Sequence, residues 1–294
     1  MLLEILAVIA PVFVCACIGY GWVKLGHPFE TAFVSRLVTN VGAPCLIFST
    51  FMEIEIEVDT FNTMASATIV AMGLFGIIGL IILKAAKLDL RAFLPSQMFP
   101  NVGNMGLPLC LLAFGDEGLA LALTYFMVNI VFGFTFGMSI SSGTVSFREL
   151  LKNPMFYAVL VTLAFLFAGL KPPDWVQNTT SLLGGLTIPV MLIALGVSLA
   201  SFRISSIKRS VALSVLRLVM GFVVGIGTAA MFGMEGTMRG IMIMQCSMPV
   251  AVFSYLFSFR YNRQPEEVAG TVVISTVLAF LCLPLLLWYV LPPT

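Results

Sequence analysis

Six prolines, each inside an apolar run, recur at almost one spacing. Pro11, Pro44 and Pro108 are followed by Pro154, Pro189 and Pro249, at offsets of 143, 145 and 141 residues. Proline has no N–H to donate, and its ring clashes with the carbonyl four residues back, so it interrupts a helix. In lipid, backbone freed in this way is tolerated only where it is buried in protein or lines a cavity. Matching interruptions in two halves of one chain predict a repeat-built membrane protein with its binding site at the breaks.

Composition supports a membrane chain. The 294 residues are 60% hydrophobic and 10% charged, against about 25% charged in an ordinary soluble domain. A membrane span needs roughly 20 apolar residues. Ten such runs are expected, near 2–24, 29–51, 60–84, 91–114, 117–140, 153–170, 177–200, 209–231, 236–258 and 268–290. The first is long enough to span, and no small-residue site follows it, so it is expected to be a retained helix and not a cleaved signal. The fourth run holds Asn101, Asn104, Gly106 and Pro108, and the ninth holds Ser247 and Pro249. These two are expected to be broken and to cross.

The basic residues set the orientation. One set of loops carries eleven: Lys24, Lys84, Lys87, Arg91, Arg148, Lys152, Arg203, Lys208, Arg209, Arg260 and Arg263. The opposite set carries two, Lys171 and Arg239. The excess of Lys and Arg marks the cytoplasmic side, so both termini are expected outside a cytoplasmic (inner or plasma) membrane, with the acidic run Glu53, Glu55, Glu57 and Asp59. Five spans per half is an odd number, so the second half is expected to enter the membrane inverted. The two repeats are 1–145 and 146–294, in one integrated transporter unit. The stretch around Asn40 and Pro44 pairs with that around Pro189.

Candidate binding residues cluster at the interruptions. Asn101 and Asn104, three apart, share a helix face, and amides inside a span are costly unless they are paired. Gln245, Ser247 and Ser254 flank the ninth-span break, and Asn40 lies in the second span. Helix breaks are expected at Pro108, Pro249, Pro44, Pro189 and Gly106. Arg36 sits near a helix end and can snorkel. Arg217 lies about two turns in, where it either snorkels or draws an anion into a vestibule.

Other chemistries are excluded. The six cysteines lie in apolar runs without metal-ligand spacing, so neither a metal centre nor a disulfide framework is expected. His27 is the only histidine and falls in a loop. No aspartate or glutamate falls deep in a span, and no nucleophile–base motif is present. An enzyme is excluded, and no cofactor or nucleic-acid partner is implied. Proton coupling, which commonly uses an intramembrane carboxylate or histidine, is disfavoured. Sodium coupling stays open, because freed carbonyls and hydroxyls coordinate that ion. A secondary carrier of a small organic anion fits best; an anion channel or a membrane-embedded sensor on the same fold is the alternative. A homodimer stays open.

The run Pro100, Asn101, Met105, Gly106 and Pro108, with Ser247 and Pro249, then Tyr261, Asn262 and Pro265, then Leu283 and Pro284, resembles the auxin efflux carrier family over essentially the whole chain. That family includes the PIN-formed carriers of plants and many bacterial permeases, and is similar in architecture to bile-acid sodium symporters and sodium–proton antiporters. The resemblance implies ten helices, crossing broken helices 4 and 9, and a scaffold domain against which a transport domain moves. It implies organic anion substrates, carboxylates, and gives the asparagine seven residues before the crossover proline, here Asn101, a contact with the substrate carboxylate. Asn104 stands where the plant pattern is apolar, and Phe253 and Ser254 stand where many bacterial relatives have asparagine. Substrate identity therefore does not transfer.

The charge split predicts that single cysteines introduced near Glu55 and Asp116 react with impermeant label from outside, and one near Lys152 from inside. Outside labelling at 152 overturns the orientation and the inverted repeat together.

Overall fold

The computed structural model describes residues 2–54, 56–144, 151–202 and 205–291. Glu55, Arg148 and Arg203, which the charge reading uses, lie outside them. Among the described residues the chain is helical throughout, with one isolated antiparallel bridge between Pro100 and Val250. The first helix, α1, is Leu2–Lys24. Then come α2 (Thr31–Leu37), a π-helical turn at Val38–Gly42 and α3 (Ala43–Glu53). Next are α4 (Val58–Ala85) and the short α5 (Leu90–Met98). A second π turn, Val102–Gly106, leads into α6 (Leu107–Phe132), and a third, Gly133–Gly137, into α7 (Met138–Ser142).

The rest is α8 (Pro154–Ala168), α9 (Asp174–Gly185), α10 (Thr187–Ser201), α11 (Ile207–Met231), α12 (Gly236–Cys246), α13 (Val252–Arg260) and α14 (Pro265–Val290).

Seven helical stretches among the described residues are long and apolar enough to cross a membrane, and α8 is a shorter apolar helix. The longest stretch, Val102–Ser142, has 41 residues and would run about 60 Å if straight, twice the roughly 30 Å of a bilayer core. It is not straight. Gly115 has φ 64° and ψ −155°, a backbone conformation open almost only to glycine, so the chain turns there beside Asp116 and Glu117. Large apolar side chains such as Leu281, Leu285, Val223 and Phe259 stand exposed on the surface, as a lipid-facing belt requires.

The fourth and ninth runs are interrupted, as the sequence reading expects. Each is two short helices separated by extended backbone: α5 and the 102–114 arm around residues 99–101, and α12 and α13 around residues 247–251. The starts are locally encoded. Asn153 accepts the Met155 N–H at 3.0 Å and Pro154 opens α8; Asp89 accepts the Arg91 N–H at 2.9 Å at the head of α5. A short polar side chain in this place satisfies an orphan donor of the first turn.

The helices form two packing groups. In one, α1 lies along α10, and α3 packs on α8 and α9. In the other, α4, α5, α6 and α11–α14 pack on one another. Within the first group the backbones approach closely. A side chain at Gly19 would collide with the Ile193 carbonyl, and one at Gly196 with the Ala16 carbonyl. Small residues that admit such contacts are a usual means of joining helices in lipid. Gly196→Val should therefore destabilise the protein by about 1–3 kcal/mol, read as a lower unfolding midpoint in detergent. Gly21→Ala, in α1 with nothing within 4 Å, should leave the midpoint unchanged.

Candidate functional site

The two broken runs meet at their breaks. The Asn101 N–H donates to the Pro249 carbonyl at 2.7 Å, and the Ala251 N–H donates to the Phe99 carbonyl at 3.1 Å. These two bonds flank the Pro100–Val250 bridge. The Val250 N–H reaches the Ser275 hydroxyl on α14 at 3.1 Å. Extended backbone inside a membrane needs internal partners, and each break supplies them to the other.

Four helix ends converge on this crossing. The C-terminal ends of α5 and α12 face Arg217 of α11. Its Nη1 donates to the Gln97 carbonyl at 2.6 Å, its Nη2 to the Cys246 carbonyl at 2.6 Å, and its Nε to the Met248 carbonyl at 3.3 Å. The guanidinium carbon lies 4.3 Å from the centre of the Phe75 ring. The side chain is fully buried. Arg217 thus neither snorkels nor opens onto a vestibule, as the sequence suggested.

The other two ends, the starts of the 102–132 arm and of α13, line a cavity of about 200 Å³. The first N–H groups of a helix have no partner within it, and each N-terminus carries about half a positive charge. Gly103 and Asn104 on one arm, and Val252 and Phe253 on the other, form part of the wall. Asn101 lines the cavity too. It is 4% exposed, and its amide nitrogen has no hydrogen-bond partner among the described residues. Most of the remaining wall is apolar, from Phe126, Ile130, Phe134, Met155, Met191 and Leu256, with Ser35 and Thr39 as hydroxyls. No ionisable side chain lines it among the described residues. The wall comes from both packing groups: α2, α8 and α10 on one side, the crossing, α6 and α13 on the other.

The sequence candidates divide. Asn101 and Asn104 come together at the cavity. Gln245 is fully buried behind them, its Nε2 at 3.5 Å from the Ala122 carbonyl and its Oε1 without a partner. That oxygen sits where a side chain at Gly106 would be, so Gly106 serves close approach. The Ser247 hydroxyl donates to its own helix at the Ile243 carbonyl, 2.7 Å, and the residue faces a separate apolar groove of about 280 Å³ between α11 and α14. Ser254 is buried and donates to the Pro95 carbonyl at 3.4 Å. Asn40 is exposed and away from the cavity. Pro44 and Pro189 lie in the first turns of α3 and α10. No group of three or more His, Cys, Asp or Glu among the described residues is placed to hold a metal.

One expectation needs correction. Pro108 is not at the crossing. It lies in the first turn of α6; the fourth run's proline at the crossing is Pro100, which meets Pro249 of the ninth run there. Pro108 acts locally instead. It cannot donate to the Asn104 carbonyl, and its ring presses on that group. The preceding turn widens, so the Leu107 N–H bonds the Val102 carbonyl five residues back. Pro44 stands in the same relation to Asn40, with the Ala43 N–H on the Val38 carbonyl. Both turns read Val-x-Asn-x-Gly-x-Pro, at 38–44 and 102–108, a repeat that would have located them. The third turn, with the Met138 N–H on the Gly133 carbonyl, has no proline and no such signal. All three line the cavity, through Val38 and Thr39, Gly103 and Asn104, and Gly133 and Phe134. Such π turns concentrate at functional sites.

Comparison with known proteins gives the family. The membrane transport protein family matches residues 4–142 and 138–289. The chain belongs to that family, which is the family of the auxin efflux carriers. An uncharacterized transporter of Methanothermobacter thermautotrophicus is 24% identical over 287 residues, 93% of this chain and 94% of the relative. A putative malonate transporter of Rhizobium meliloti is 23% identical over 298 residues, 94% of this chain and 92% of the relative. Auxin efflux carrier component 8 of Arabidopsis thaliana is 27% identical over 143 residues, 46% of this chain and 38% of the relative. The protein is a multi-pass membrane transporter and not an enzyme.

Proposed function

We propose that this member of the family is a secondary carrier that moves a small organic anion, a carboxylate, across the cytoplasmic membrane by alternating access. The observation that carries the reading is the unpartnered amide of buried Asn101 beside two helix N-termini, in a cavity walled by both packing groups. An N–H donor without a partner and two positive helix ends suit an anion without a lysine or arginine. The 90–114 and 236–260 segments each count as one broken crossing. With the turn at Gly115, we read the chain as ten crossings in two inverted repeats, 1–145 and 146–294, with both termini outside. The packing group of α1–α3 and α8–α10 serves as scaffold, and the other group carries the site. The cavity lining reaches Ser35 and Leu256, on helices that adjoin the loops with Lys24 and Arg260, which suits an inward-facing state.

The cavity chemistry favours a single negative charge. Two helix N-termini supply about one unit of positive charge together. A second carboxylate set against Phe126, Ile130 or Met191 would lose its water at a cost of several kcal/mol, and no second pair of helix N-termini is there to offset its charge. The relative from Rhizobium meliloti is named for malonate, which carries two carboxylates; the substrate here is a monocarboxylate with an apolar body. Export of such an anion gains about 2.3 kcal/mol per 100 mV, negative inside, and requires no bound sodium.

Asn101→Ala removes a charge-assisted hydrogen bond worth roughly 1.5–3 kcal/mol. Monocarboxylate affinity should fall about 10- to 100-fold while the protein stays folded, and Asn101→Asp should be worse. Unchanged affinity in both variants, measured by calorimetry on purified protein, places the site elsewhere.

Flux in proteoliposomes with each gradient clamped separately should follow membrane potential. Flux that vanishes with the pH gradient at constant potential overturns the coupling.

A further inference from the structure

Among the described residues Arg217 is the largest fully buried side chain, and no carboxylate is among its hydrogen-bond partners. Its hydrogen-bond partners among the described residues are three backbone carbonyls, those of Gln97, Cys246 and Met248. These belong to the C-terminal ends of both half-helices. A buried cation without a counter-ion is costly, and here carbonyl dipoles stand in for one. Two helix C-termini bring about half a negative charge each, which balances one guanidinium. The planar fork also reaches three carbonyls at once, which a lysine ammonium does not match.

The same balance reaches the cavity. Each half-helix C-terminus on Arg217 belongs to a run whose other half begins at the cavity. Without Arg217, the negative C-terminal ends and the positive N-terminal ends lie within a few residues and largely cancel as seen by an anion. With Arg217, the C-terminal ends are neutralised and the N-terminal ends set the potential.

We propose that Arg217 is a positioning residue for substrate, a fixed internal cation that neutralises the two inward-facing helix C-termini so that the cavity holds one negative charge. It also ties both breaks to α11, so the crossing moves as one piece. This inference rests on the anion-site reading above. It gives the protein a built-in substitute for a bound cation at the crossing, so anion binding to the unaltered protein needs none.

The effect has a definite size. By Coulomb's law, a unit charge acting across roughly 10 Å at an effective dielectric of about 20 changes affinity by roughly an order of magnitude. An uncharged ligand of the same shape feels almost none of it.

The test is binding to purified full-length protein. The probes are butyrate, benzoate and indole-3-acetate, each against its own primary amide, without sodium. Wild type should bind at least one acid more tightly than its amide. In Arg217→Gln that acid should lose about tenfold in affinity while the amide stays within about twofold. Sodium or guanidinium ions in the medium should restore part of the loss. Arg217→Lys keeps the charge and should keep the preference for the acid even where its geometry lowers stability. A folded Arg217→Gln with wild-type preference overturns the inference and leaves the anion site standing. Should Arg217→Gln fail to fold, Arg217→Lys decides: a folded lysine variant without the preference overturns it. Wild type that binds no acid above its amide overturns the anion site and this inference with it.

Discussion

Two stretches of non-helical backbone in the middle of a membrane protein have to satisfy each other, and the rest of this molecule is arranged around that need. The Asn101 and Ala251 N–H groups donate across to Pro249 and Phe99, and the Ser275 hydroxyl takes the Val250 N–H. In water such groups would be hydrated. In lipid each orphan would cost several kcal/mol. The half-helices can end in mid-membrane only because the partner break is there to pair with.

Ending four helices at one point also concentrates their dipoles. The molecule sorts them by sign. The C-terminal ends gather on Arg217, buried over the Phe75 ring. The N-terminal ends open on the cavity with Asn101. The anion site proposed above has no basic side chain in its wall, so a count of charged residues within the spans does not find it. Cation–π contact with Phe75 is a weaker contribution, worth about 2 kcal/mol when desolvated. It supplements the carbonyls.

The cavity lies where two differently bonded groups of helices face each other. Within the first group, Gly19 and Gly196 let backbones touch, and such contact leaves little room for sliding. Across the cavity the wall is mostly side chains, with methionines among them. Met155 and Met191 are unbranched and adaptable, which suits a boundary that repacks. The three π turns at the same wall add unevenly bonded backbone to the place where ligand binding has to be felt.

Much of this was readable from residues alone, and the remainder was not, for a physical reason. Apolar runs, the split of lysine and arginine, and proline inside helices are local or one-dimensional properties. They identified a membrane transporter, the fourth and ninth runs as the interrupted ones, and Asn101 and Asn104 as polar groups beside a break. The twice-occurring Val-x-Asn-x-Gly-x-Pro, also local, would have placed two of the π turns. Which proline stands at the crossing was beyond reach, because Pro100 is defined by Val250, 150 residues away, and Pro108 only by its own turn. The partners of Arg217 were likewise hidden, since a buried guanidinium and a snorkelling one have the same sequence neighbours. Asn40 and Ser247 resembled Asn101 in chemistry, yet the helix rotation turned one to the surface and the other to a different groove. Chemistry and periodicity were set by the sequence by itself. Which helix ends meet, and with which sign toward the ligand, was decided only by the tertiary structure, because electrostatic compensation in a low dielectric depends on distances between segments far apart in the chain.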